Sequence, residues 1–277
     1  MGVSDSEGGI KNDGGEAIYL FCLARSGYLT GLEGTGVDGR NPLFQWNLRD
    51  ITAVLSMASL EEFCGQSGES RMQDLAWVGP RACRHEAVIE RVMLHSPVLP
   101  ARFGTLFSSL ESLEKLLRRH YDTILGFLDR VADKEEWAVK GLLDRDKAKE
   151  KLFSTTLGTH EGALSLSPGM HYFQEQRIRV GVEKELSSWL RVVLKKIASD
   201  IARHASDFSE RMPLSREVTG KDMDMVLNWA FLVPRNAMAD FRAQIHRANS
   251  DHARQGLVFE LSGPWPPYSF CPSLRED

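Results

Sequence analysis

The run Gly34-Thr-Gly36-Val-Asp-Gly39 has the G-x-G-x-x-G spacing with which a glycine turn brings a helix N-terminus against a pyrophosphate. That chemistry needs a strand entering the turn and a helix leaving it. Here the preceding apolar run stops at Ala24, well short of the first glycine, and Arg40-Asn-Pro42 leads into another strand-like run. The spacing therefore predicts a turn-rich loop and no cofactor. Nucleophilic catalysis finds no constellation either. Gly65-Gln-Ser67-Gly68-Glu69 carries glutamate where a G-x-S-x-G elbow needs its last glycine. His85-Glu86 lacks the second histidine of H-E-x-x-H, and Cys83 with His85 lacks a third and fourth metal ligand nearby. The carboxylate pairs Glu61-Glu62, Glu135-Glu136 and Asp144/Asp146 suit element starts, and Lys195-Lys196 suits a wet helix face. No catalytic residue and no metal site are expected.

Two segments point instead to contact. Pro97-Val-Leu-Pro100-Ala-Arg102-Phe103-Gly104-Thr105-Leu-Phe107 sets one arginine among apolar residues, beside a glycine that permits close backbone approach. Arg102 is either a buried, paired residue at a strand end or a partner contact, since arginine is favoured in both. Gly263-Pro264-Trp265-Pro266-Pro267-Tyr268-Ser-Phe270 is stiffened by three prolines and carries three aromatic rings at low ordering cost. Such a tail either clamps onto its own protein, across two domains for instance, or offers anchor residues to another chain. Arg102, Phe103, Gly104, Pro264, Trp265, Pro266, Pro267, Tyr268 and Phe270 are thus the candidate structural or partner contacts.

The elements that must position these residues follow from periodicity. Ala17–Ala24 reads as a buried strand, and Leu43–Leu48 with Ile51–Ala58 as a hairpin turning at Arg49-Asp50. A helix spans Asp74–Leu94, with Pro80 marking its true first turn, and Ser96-Pro97 stops it. Val98–Phe103 is extended at a sheet edge or strand end, and a second helix runs from Ser109 to Val131. Glu136–Leu143 alternates like a strand with one buried face. Residues 144–166 read as a short charged helix and a small-residue loop. A long helix follows over Gly169–Phe208, then paired strands Met212–Val218 and Met225–Val233, a helix Asn236–Asn249, and a closing strand Gly256–Leu261. Trp229 and Phe231 alternate as RNA-stacking aromatics would, but no basic flank accompanies them and core packing suits both better.

The expected fold is α+β with two domains. Residues 134–262 form a C-terminal ferredoxin-like domain: a split βαβ, antiparallel sheet with helices on one face. Residues 16–133 form an N-terminal α+β domain with a related sheet, its first helix replaced by the glycine loop. Residues 1–15 are a disordered N-terminal tail without the basic start and apolar core of a secretory signal, and 263–277 a Pro/aromatic C-terminal tail.

Composition narrows the function. The chain has 277 residues and a net charge of −4, so it has no basic excess to neutralise nucleic-acid phosphates. It also contains no apolar run long enough for a membrane span. The four cysteines, Cys22, Cys64, Cys83 and Cys271, are scattered, as reduced thiols of a cytoplasmic protein would be.

His85-Glu86, the run from Pro97 to Phe107, Asn228-Trp-Ala-Phe-Leu-Val233 and the tail Leu261–Phe270 together resemble the gas vesicle protein F/L family from Ile18 onward. The resemblance implies a cytoplasmic, vesicle-associated accessory or minor structural protein of gas vesicle assembly, not an enzyme. Its implied partners are the hydrophobic major shell protein and other vesicle accessory proteins, and its implied fold is two-domain α+β. The competing expectation is a small-molecule-sensing regulatory protein built on ferredoxin-like domains.

Overall fold

The computed structural model describes residues 15–29, 31–159 and 168–274. Apart from Gly15, the expected N-terminal tail lies outside the described residues, as does the loop ahead of the long helix, at 160–167. The chain divides into two compact units. One joins the chain up to Asp133 with the residues from Pro266 onward, and the other is Lys134–Trp265.

The first unit opens on β1 (Glu16–Arg25), buried without interruption from Ala17 to Ala24 because it is the central strand of its sheet. β2 (Leu43–Leu48) and β3 (Ile51–Ser59) form the expected hairpin. Three helices follow: α1 (Leu60–Phe63), α2 (Gly65–Gln73) and α3 (Leu75–Met93). The Asp74 side chain caps α3 by accepting from the Ala76 N–H at 2.9 Å. This cap starts the helix before Pro80, which lies inside α3 rather than in its first turn. The extended run after Pro97 shortens to β4 (Val98–Pro100), a sheet-edge position, with β5 (Leu106–Phe107) pairing separately with β1.

The single helix expected over Ser109–Val131 is two, α4 (Leu110–Arg119) and α5 (Tyr121–Val131). His120 leaves the helical basin at φ −107°, ψ 19°. The step of seven from Leu117 to Ile124, both buried, keeps the apolar stripe in phase across the break, so periodicity alone cannot register it. The sheet order β2-β3-β1-β4 is antiparallel throughout.

The second unit repeats that order. β6 (Lys134–Leu143) pairs on both sides and is buried on both faces from Glu136 to Val139, not on the one face its alternation suggests. α6 (Arg145–Thr159) and α7 (Pro168–Ala202) follow, then β7 (Asp207–Arg211), the four-residue α8 (Arg216–Thr219), β8 (Asp224–Pro234), α9 (Met238–His252) and β9 (Leu257–Trp265). The sheet order β7-β8-β6-β9 is antiparallel, the split βαβ arrangement. Leu186, Ile197 and Ile201 of α7, with Phe241 and Ile245 of α9, share one core with Trp137, Trp229 and Phe231. Trp229 and Phe231 are therefore core residues. Among the described residues no helix is long and apolar enough to cross a membrane.

The expected strand Met212–Val218 is displaced: the strand is β7, and Arg216–Thr219 is helical. Phe208 lies seven residues past Ile201 and so falls on the helical stripe by spacing. Its ring instead packs at 5.0 Å from Phe231 and 5.7 Å from Trp229, across the sheet.

Candidate functional site

The first unit brings His85-Glu86, the loop after β4 and the C-terminal tail to one place. β1 supplies Tyr19 and, at the bulge between Leu20 and Cys22, Phe21. α3 turns His85 onto the sheet, where it is only 2% exposed. Its ring stacks on Phe21 at 5.6 Å and meets Tyr19 and Phe103 edge-on at 5.6 and 5.8 Å.

A chain of hydrogen bonds threads this aromatic cage. His85 Nε2 lies 3.1 Å from the Ala101 carbonyl, which can only accept, so that nitrogen carries the proton. Nδ1 then accepts from the Tyr19 hydroxyl at 2.9 Å. The Tyr19 oxygen in turn accepts the Gly104 N–H at 3.1 Å. Gly104 sits at φ +82°, a conformation that favours glycine and that aims its N–H inward. From the tail, the Tyr268 hydroxyl donates to Glu86 Oε2 at 3.0 Å, and its oxygen lies 3.3 Å from His85 Nε2.

Burial sets the electrostatics. Desolvation pushes the His85 pKa down to about 4, with the Ala101 carbonyl opposing, so the ring is neutral at pH 7. Desolvation raises the Tyr19 and Tyr268 hydroxyls far above their ordinary value, and the Glu86 charge adds to the rise at Tyr268. Glu86 is itself raised by burial, opposed by the Tyr268 hydrogen bond and reinforced by Glu90. With both ring nitrogens engaged inside the packing, the arrangement works as a latch that fastens the loop and the tail to α3.

The structure treats the nine candidate contacts unequally. Phe103, Gly104 and Tyr268 belong to the latch. Pro266, Pro267 and Phe270 are buried, and the Phe270 carbonyl accepts from the Arg130 guanidinium. Arg102 is exposed rather than a buried paired residue. Pro264 and Trp265 are exposed at the end of β9 in the second unit, Trp265 by 40%. The proline-rich segment is thus not one stiff tail: it continues an edge strand to Trp265 and then folds into the first unit from Pro266. Tyr19 has no distinguishing neighbour in the sequence because it stands in an unbroken apolar run. The one signal it offered was a hydroxyl in a strand that must bury everything.

The glycine-rich loop has its own explanation. A Cβ on Gly36 would stand 2.3 Å from Ser56 Oγ, so the glycine is needed where the loop crosses β3. Arg84 and Arg91 of α3 donate to the carbonyls of Val37 at 3.0 Å and Glu33 at 2.9 Å. The glycines make room for the protein's own serine and arginines.

A family model described as "Gas vesicle synthesis protein GvpL/GvpF" matches residues 17–272. Gas vesicle protein L of a Streptomyces species is 25% identical over 263 residues, covering 94% of each chain. Gas vesicle protein L1 of Halobacterium salinarum is 23% identical over 270 residues, covering 92% of this chain and 90% of its own. Among solved structures, the gas vesicle protein GvpF from Anabaena sp. PCC7120 superposes with a TM-score of 0.67 at 19% identity, covering 93% of this chain and 97% of that one. GvpF from Microcystis aeruginosa gives 0.66 at 18% identity, covering 93% and 99%. These likenesses agree with the α+β fold built on two antiparallel sheets.

Proposed function

The chain belongs to the gas vesicle synthesis protein GvpL/GvpF family, and from that premise we propose that it is an accessory protein of vesicle assembly that binds the small hydrophobic major shell protein, alongside other vesicle proteins. The family match across nearly the whole chain carries this reading. Holding an aggregation-prone subunit requires apolar surface rather than reactive groups. The second unit offers such surface: Phe208, Met212, Leu214 and Val218 are exposed on and just beyond β7. β7 is an edge strand, and an edge with an apolar flank is a template for an extended segment of another chain. The same reading places the protein with the vesicle in the cytoplasm.

Co-expression of the tagged chain with the shell protein, followed by chemical cross-linking and mass spectrometry, tests the proposal. Cross-links between the two chains are expected. A folded, expressed chain that cross-links to no vesicle protein overturns it.

A further inference from the structure

A cleft of about 710 Å³ opens in the first unit, walled by Leu20 and Leu23 of β1, Leu99 of β4, Leu116 of α4 and the tail residues Cys271 and Leu274. This volume lies in the range of sites that hold a ligand or a few docked side chains. Most of its polar lining is already engaged within the protein. The Thr105 hydroxyl donates to the Arg102 carbonyl at 2.6 Å, and the Ser112 hydroxyl to the Ser109 carbonyl at 2.8 Å. The Tyr268 hydroxyl belongs to the latch, and the Cys271 thiol donates to the Pro267 carbonyl at 3.4 Å. Arg102 differs. Among the described residues it is the only charged side chain in the lining, it is exposed, and its guanidinium has no carboxylate partner. A cleft walled partly by aliphatic side chains and partly by polar groups already engaged, with one fork-shaped cation left without a carboxylate among the described residues, complements a chain that sets one anionic, planar group among aliphatic ones.

We propose that this cleft receives a peptide segment of a vesicle protein in which a carboxylate stands among aliphatic side chains, the aliphatic groups entering against the leucines and the carboxylate pairing with Arg102. The inference rests on the reading of the chain as a binder of vesicle proteins and adds the site and the chemistry it recognises. The latch bears on it directly, because Tyr268 holds in place the tail that forms one wall.

The test uses the full chain and two terminally blocked peptides, Leu-Leu-Glu-Leu-Leu and Leu-Leu-Gln-Leu-Leu, titrated by calorimetry. The wild-type chain should bind the glutamate peptide at least about tenfold more tightly than the glutamine peptide, and Arg102→Gln should erase that preference. Leu116→Trp, which fills the cleft, should weaken both peptides. Equal affinity for the two peptides, no binding of either, or an unchanged preference in Arg102→Gln overturns the proposal. Capture of the whole shell protein, measured in parallel, separates the two readings. Capture equal in wild type and Arg102→Gln sinks the cleft and leaves the assembly role standing. Peptide preference without shell capture does the reverse.

Discussion

Acid should loosen the first unit through His85 in a measurable, one-proton manner. Burial holds this imidazole at a pKa of about 4 in the folded chain, against 6.5 when exposed. Between those values the unfolded chain binds a proton that the folded chain refuses, so stability rises with pH across the window. The contribution is complete above pH 6.5 and is lost as the pH falls through about 4. Its size is about 3 kcal/mol, with a slope near 1.4 kcal/mol per pH unit in the middle of the window. The perturbation is His85→Gln, a neutral side chain whose amide can still donate toward the Ala101 carbonyl and accept from Tyr19. Glu86, whose pKa is raised, gains stability from its proton in acid and so slopes the opposite way, but it is present in both proteins and drops out of their difference. Urea unfolding at pH 7, 6, 5 and 4.5, read by pulsed hydrogen exchange at one labelling pH in peptides from β1, reports on this unit alone. His85→Gln should be less stable at pH 7, and its deficit against wild type should shrink by about 2.5 kcal/mol by pH 4.5. Parallel curves would refute the reasoning, because they would mean that the ring is not held neutral by its surroundings.

Three further outcomes follow from the same geometry. Tyr268→Phe removes the donor to half-buried Glu86, so it should cost about 2 kcal/mol in the first unit and speed proteolysis after Pro266, measured by limited digestion. Gly36→Ala forces a Cβ against Ser56 and should cost about 2 kcal/mol or more, partly restored by adding Ser56→Gly, as read from melting temperatures. In the second unit, Glu136 is 1% exposed and paired with Arg211. Arg211→Met should therefore cost about 3 kcal/mol by denaturant titration, while Lys221→Met, which breaks the exposed pair with Glu260, should cost less than about 1 kcal/mol.

Much of the fold was legible because strands and amphipathic helices announce themselves by period. The hairpin at Arg49-Asp50, the stop at Ser96-Pro97 and the order of elements in the second unit all follow from such signals. Periodicity is blind where two structures share a period. His120 breaks a helix without disturbing its stripe, and Phe208 completes a helical step while lying in a strand. The latch was legible only in pieces. The loop after Pro97, the His85-Glu86 pair and the tail each stood out, but their meeting depends on contacts 16 to 183 residues apart. Tyr19 and Tyr268 differ from phenylalanine by one oxygen, and no local pattern reveals which buried hydroxyl finds a partner.

The assembly role is tested most directly by solubility and capture of the major shell protein in cells that express it with or without the tagged full chain. With the chain present, the shell subunit should remain in the supernatant and co-elute with the tag in fixed proportion, identified by mass spectrometry. A shell subunit that pellets equally in both cases, and is absent from the eluate of a folded chain, would contradict it.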